Sequence, residues 1–309
     1  CDHQGKKKEG QQMKLNKIAS LGISLVMLGA MSGCVDQHPE GAKEVNTTEN
    51  VRLVATSPAT ADIMDRLDLD LVGVSDTSLS TIPERYDDVE RIGMAMSPDT
   101  EKIATLDADW ILGPASLKND LQPKYTAIGV KSIFLNLESV EGMYQSIDDL
   151  GKIFGREKQA QAMINEYNDF MVEYKSQIEG KESPEVLVLM GFPGSYSVAT
   201  ENSYTGSLVQ LAGGHNVYDG ENANYIVANT EDILKKDPDI IICTAHGGLD
   251  EVAYKYLKDD FKNNDIWQHF RAVENDKVYY LDSSLFGMSA TFEYTEALNI
   301  LQPILYGEE

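Results

Sequence analysis

Few side chains in this sequence have the types and spacing that catalysis or metal binding requires. Gly194-Ser195-Tyr196 lacks the Gly-x-Ser-x-Gly pattern of a nucleophile elbow, no Gly-x-Gly-x-x-Gly is present, and no Ser/His/Asp set stands out. Of the five histidines, His3 and His38 fall in the N-terminal region, leaving His215, His246 and His269, too few for a free-metal receptor. His215 follows Gly213-Gly214, reads as turn punctuation and has no His/Asp partner at metal spacing. His269, within Trp267-x-His269-Phe270, reads as structural. His246 follows the apolar run Ile240 to Cys243, and a lone histidine after a strand is ordinarily structural. Met94 and Met96 carry polarizable thioethers whose ordinary use is to fill a pocket or core. The residues therefore offer no recognisable catalytic set.

The elements that would position these residues follow from hydrophobic period. From Val51, short β-branched runs alternate with helical stretches: Arg52 to Thr56, a helix from Ala59, Leu71 to Ser75, Trp110 to Leu112 and Ser132 to Leu135. A second series has Val186 to Met190, a helix over Gly206 to Ala212, Ile240 to Cys243 and Val278 to Leu281. Such alternation predicts βαβ units and parallel sheets in two lobes, 51–155 and 181–309. Between them, residues 156–180 form an amphipathic, charge-rich stretch that has neither Gly nor Pro over Arg156 to Glu179 and reads as one long connecting helix.

An internal echo relates the lobes. Ser97-Pro98-Asp99-Thr100-Glu101-Lys102-Ile103 leads to Asp107-Ala108-Asp109-Trp110, and Asn229-Thr230-Glu231-Asp232-Ile233 leads to Asp237-Pro238-Asp239-Ile240. Glu101 and Glu231, Asp107 and Asp237, and Asp109 and Asp239 share one offset. Each copy predicts a helix with a Ser or Asn cap feeding a buried strand.

Upstream, Met13 opens a basic segment (Lys14, Lys17) followed by an apolar run from Ile18 to Met31. It is shorter than the about 20 residues of a membrane-spanning helix and predicts a signal peptide over 13–33. Met31-Ser32-Gly33-Cys34 resembles a lipobox, with Met31 in place of the usual Leu, so Cys34 is the expected lipidation site and 34–50 a flexible tether. Residues 1–12 precede that start; Lys8-Glu9-Gly10 can be encoded by a ribosome-binding sequence, so 1–12 is expected to be a non-native leader. Cys1 and Cys34 are then spent outside the lobes, leaving Cys243 with no disulfide partner. The net charge of -24, from 50 acidic and 26 basic residues, opposes a nucleic-acid role.

Several motifs carry a family resemblance: Val54-Ala55-Thr56-Ser57-Pro58-Ala59, Ile82-Pro83-Glu84-Arg85-Tyr86, Met96-Ser97-Pro98, Gly191-Phe192-Pro193-Gly194-Ser195-Tyr196, Ala245-His246-Gly247, Asn264 to Phe270, and Phe286-Gly287. From Val51 to Tyr306 the chain resembles the substrate-binding proteins of iron-compound and vitamin B12 ABC importers. Within that group it is most similar to the haem-receptor lipoproteins of the iron-regulated surface determinant system of Gram-positive bacteria. The resemblance implies an α/β fold of two Rossmann-like lobes joined by a single long helix, with the ligand in the inter-lobe crevice. It implies haem b as cargo, with Met96 and His246 as axial ligands, which suits a thioether–imidazole pair. Gly247 would let the backbone approach the macrocycle, and the helix start at Ser57 and Ala59 would offer N–H groups to a propionate. Tyr196 is a candidate porphyrin wall. Glu101 and Glu231 are candidate docking residues for an ABC permease coupled to its ATPase.

The resemblance also implies a monomer on the extracytoplasmic face of a Gram-positive cell membrane, with haem-donating surface proteins upstream. A ferric siderophore or a corrinoid as cargo, and an extracytoplasmic enzyme, stay open at this stage.

Overall fold

Apolar alternation along each central strand divides its side chains between two faces. In β1 (Leu53–Ala55), Leu53 and Ala55 face one layer and Val54 the other. The computed structural model describes residues 51–78 and 80–307; the segments expected to be leader, signal peptide and tether, with Cys34, lie outside the described residues. The first lobe continues with α1 (Pro58–Arg66), β2 (Leu71–Asp76), β3 (Glu90–Met94), β4 (Ser97–Pro98), α2 (Thr100–Thr105), β5 (Trp110–Pro114), α3 (Lys118–Ala127), β6 (Lys131–Leu135) and α4 (Val140–Phe154). Gly155, at φ +65°, ends α4 and lets α5 (Glu157–Ile178) start almost at once.

The second lobe runs through β7 (Glu185–Phe192), β8 (Ser195–Ala199), α6 (Tyr204–Leu211), β9 (His215–Asn216), β10 (Tyr225–Val227) and α7 (Thr230–Lys236). It ends with β11 (Ile240–Ala245), α8 (Asp250–Asn263), α9 (Arg271–Glu274), β12 (Val278–Tyr280) and α10 (Tyr294–Tyr306).

The strand orders are β4-β3-β2-β1-β5-β6 and β10-β8-β7-β11-β12, with β9 beside the start of β7. Central pairs are parallel, as expected, but β3–β4, β7–β8 and β8–β10 are antiparallel. For β3–β4 and β7–β8, connection length explains the departure from a purely parallel sheet. Phe192 pairs with Ser195, leaving only Pro193 and Gly194 in the turn, and Gly194 has φ +76°. Pro followed by a positive-φ Gly closes a hairpin, whereas a parallel crossover needs a dozen residues or more.

Both faces of each sheet are covered, so the strands read as continuous apolar runs. Ile241 and Cys243 of β11 face an outer layer with Leu257 and Trp267, and Val54 and Ile111 face another with Leu121 and Tyr125. The inner layer is shared between lobes: Leu53, Met64, Ile147, Met171, Val188, Leu208, Ile242 and Leu301 belong to one continuous buried cluster. Within it, Tyr144 of α4 stacks on Tyr167 of α5 at 4.5 Å, and the Tyr174 hydroxyl donates to the Leu298 carbonyl at 3.0 Å. Direct lobe-to-lobe contacts add the Ala290 N–H donating to the Leu137 carbonyl at 2.7 Å and Arg66 lying 3.9 Å over the Phe292 ring.

The internal echo is present in three dimensions. Asp107 and Asp237 adopt left-handed conformations, φ +47° and +48°. The Asp109 carboxylate accepts from the Arg52 N–H at 2.8 Å, and the Asp239 carboxylate accepts from the Glu185 N–H at 3.0 Å. Each aspartate thus pins its strand entry to the start of the neighbouring central strand. The first cap differs from expectation. Asp99, rather than Ser97, caps α2 by accepting from the Lys102 N–H, because Ser97 is engaged in β4; Asn229 caps α7 as expected.

Candidate functional site

Met96 occupies the tip of a tight hairpin. Met94 pairs with Ser97, so Ala95 and Met96 alone make the turn. Gly93 enters it at φ +88°, with the Ser97 carbonyl 3.2 Å from where a Cβ would sit, so a side chain there would be strained and crowded. Lys102 holds the hairpin by donating to the Arg91 carbonyl at 2.7 Å and pairing with Glu90 at 2.8 Å. Met96 is 66% exposed and Met94 47% exposed, so neither fills the core. An apolar thioether presented this way at the end of a parallel strand is placed for contact with something outside the lobe.

His246 follows the C-terminal end of β11. Its backbone N–H donates to the Gly191 carbonyl at 3.1 Å, and its ring lies 5.6 Å from the Phe192 ring. Among the described residues no hydrogen bond engages the imidazole, which leaves its nitrogens available to a ligand. Leu249 and Val252, beside this turn, are exposed apolar groups. Phe192, Leu249 and Val252 were not singled out from the sequence. Phe192 lies inside a motif that could have marked it, whereas the exposure of the other two has no sequence signal. Both candidate ligands therefore sit at carboxyl ends of strands in different lobes, where open α/β sheets bind ligands.

Ser57 is buried and caps α1, accepting from the Thr60 N–H at 3.2 Å. Its hydroxyl is thus spent on the helix. Pro58 has no N–H, and Thr60 and Ala61 donate to Ser57, so the Ala59 N–H is the first-turn donor that no described residue accepts. Gly247 adopts φ +27° in an exposed turn, as a close backbone approach would need.

Tyr196 is anchored within its own lobe. Its hydroxyl donates to Asp260 at 2.9 Å, its ring neighbours Trp267 and Tyr256, and burial raises its pKa well above the ordinary tyrosine value. It is half-buried and packs against the outer layer of the second sheet. His215 differs from the turn punctuation expected of it: Nδ1 lies 2.8 Å from Glu185 and Nε2 3.2 Å from Asp219.

Glu101 and Glu231 take the second position of α2 and α7, each after an Asx cap, and both are exposed. A separate cleft of about 580 Å³ lies where α4 begins, lined by Glu138, Glu141, Glu201, Glu221 and several amides. Its carboxylates suit neither an apolar macrocycle nor a propionate, and neither Met96 nor His246 lines it.

Two α/β lobes with a shared inner core, one long connecting helix and ligand-ready strand ends define the solute-binding class of protein. The family model described as "Periplasmic binding protein" matches residues 53–285, and the chain belongs to that family. It is 38% identical over 297 residues to the "High-affinity heme uptake system protein IsdE" of Staphylococcus aureus (strain MRSA252), across 94% of this chain and 99% of that protein. Among solved structures, an ABC transporter substrate-binding protein from Listeria monocytogenes EGD-e is 40% identical with a TM-score of 0.80, covering 84% of this chain and 100% of that one. S. aureus IsdE complexed with heme is 39% identical with a TM-score of 0.78 and the same coverage.

Proposed function

We propose that this chain is the extracytoplasmic haem-binding protein of an ABC importer, capturing haem between Met96 and His246 and delivering it to a permease for iron acquisition. The observation that carries the reading is the pair itself. An exposed thioether and an imidazole that makes no hydrogen bond among the described residues stand on different lobes of a chain that shares 38% identity with a haem uptake protein. Imidazole and thioether are an established axial pair, and methionine ligation favours ferrous iron and raises its potential. The exposed apolar groups Met94, Leu249 and Val252 offer surface for the ring. The Ala59 N–H at the α1 terminus offers a donor for one propionate, and the Gly247 turn offers room.

Release would proceed through docking, with exposed Glu101 and Glu231 on related helices meeting basic residues on two halves of the permease. Cys34 would carry the lipid that keeps the receptor at the membrane, an assignment supported by Met31-Ser32-Gly33-Cys34. The protein would act as a monomer and receive haem from surface donors. The test is an absorption spectrum of the purified chain with and without haemin. The expected result is a Soret band with low-spin features that excess cobalamin or ferric siderophore does not displace. Displacement by either competitor, or no band, would overturn the assignment.

A further inference from the structure

The turn that carries His246 contains two consecutive positive-φ glycines, Gly247 and Gly248, at +27° and +70°, and so has little intrinsic stiffness. A strap formed by residues 281–286, after β12, compensates. Tyr254 of α8 donates to the Leu281 carbonyl, and Thr244 of β11 donates to the Phe286 carbonyl. At the centre of the strap, Asp250 uses both carboxylate oxygens on one residue. Oδ1 accepts from the Ser283 N–H at 2.9 Å, and Oδ2 accepts from the Ser283 hydroxyl. The hydroxyl proton is thereby committed to Asp250, so Ser283 Oγ can only accept from its remaining neighbour, the Gly248 N–H at 3.2 Å. Ser283 is buried, with Asp250 half-buried beside it and Gly248 exposed.

We infer that Ser283 and Asp250 are positioning residues for His246, acting through the Gly248 N–H to hold the imidazole in line with the iron; the inference rests on the haem-binding reading. An iron–imidazole bond is directional, and groups that orient a ligating histidine contribute to affinity although they never touch the metal. Asp250→Asn removes one of two acceptors in use, and Ser283→Ala removes the acceptor for Gly248. Ser283→Thr keeps the hydroxyl.

The full chain and these variants are loaded with haemin, mixed with excess apomyoglobin, and followed by haem transfer rate and by the low-spin absorption bands. Ser283→Ala and Asp250→Asn should release haem faster, by about 10-fold or more, and weaken the low-spin bands, while Ser283→Thr restores both. Unchanged bands and rates, or a lowered melting temperature with unchanged bands, would reduce the relay to a structural role and overturn the inference. A Ser283→Ala defect that Ser283→Thr does not repair would overturn it as well. Failure of the unaltered chain to develop a Soret band is a different result and would bring down the haem reading itself.

Discussion

Replacing Met96 with alanine separates ligation from folding, because the side chain is presented rather than packed. Met96 is 66% exposed on a two-residue turn, so about one third of it contacts the protein. Full burial of a methionine is worth about 1.5–3 kcal/mol, which bounds the cost of Met96→Ala to the ligand-free protein at about 0.5–1 kcal/mol. For a folded region of this size that is a fall of roughly 1–4 °C. The haem-bound protein should respond differently. Each tenfold loss of affinity removes about 1.4 kcal/mol from the stabilisation that a fixed excess of haem confers, or roughly 3–6 °C of thermal shift.

The assay is thermal unfolding of parent, Met96→Ala and His246→Ala, each with and without the same excess of haemin, read beside the visible spectrum. Curves should nearly coincide without haem and separate with it. Met96→Ala should retain a five-coordinate or water-ligated spectrum, and His246→Ala should lose the larger share of the shift, since imidazole is the stronger ligand. If both variants keep the parental spectrum and the full haem-induced shift, the ligands lie elsewhere.

Three further outcomes follow from the same geometry. The shared inner core and a connecting helix without Gly or Pro predict small shear in place of hinge closure; the radius of gyration from solution scattering should hold on haem binding, and a marked contraction would count against it. Glu101→Arg and Glu231→Arg should leave the haem spectrum intact while preventing growth on haem as sole iron source. Exposed pairs are worth only about 0.2–1 kcal/mol each, but reversal sets like charges together. Normal growth of the double reversal would place docking elsewhere. His215, hydrogen-bonded to Glu185 and Asp219, has its pKa raised above 6.5, Glu185 being the larger cause. The folded state holds that proton more tightly, so the contribution to stability is full below the unfolded pKa and fades as pH rises through the folded one. His215→Gln should flatten the stability–pH curve in that window, by a modest amount because His215 is 44% exposed. Parallel curves for the two proteins would refute the clamp.

What the sequence determined by itself is what short-range pattern encodes. Val186 to Met190, Ile240 to Cys243 and the long helix over Arg156 to Glu179 lie where they were expected, because burial on both sheet faces and a 3.6-residue period are written into consecutive residues. The echo of Asp109 in Asp239 was legible for the same reason: one local unit occurs twice. Pro193-Gly194 also encoded its hairpin locally, although the alternation around it read as a parallel sheet. Contacts between distant segments were not legible. Tyr196 turned toward Asp260, 64 residues away, and His215 found Glu185 across the edge of β7. Ser283 reached the His246 turn only because β12 lies beside β11. Lateral strand order and register decide such meetings. They are settled by which buried faces fit together, a property of the packed lobes that no window along the chain contains.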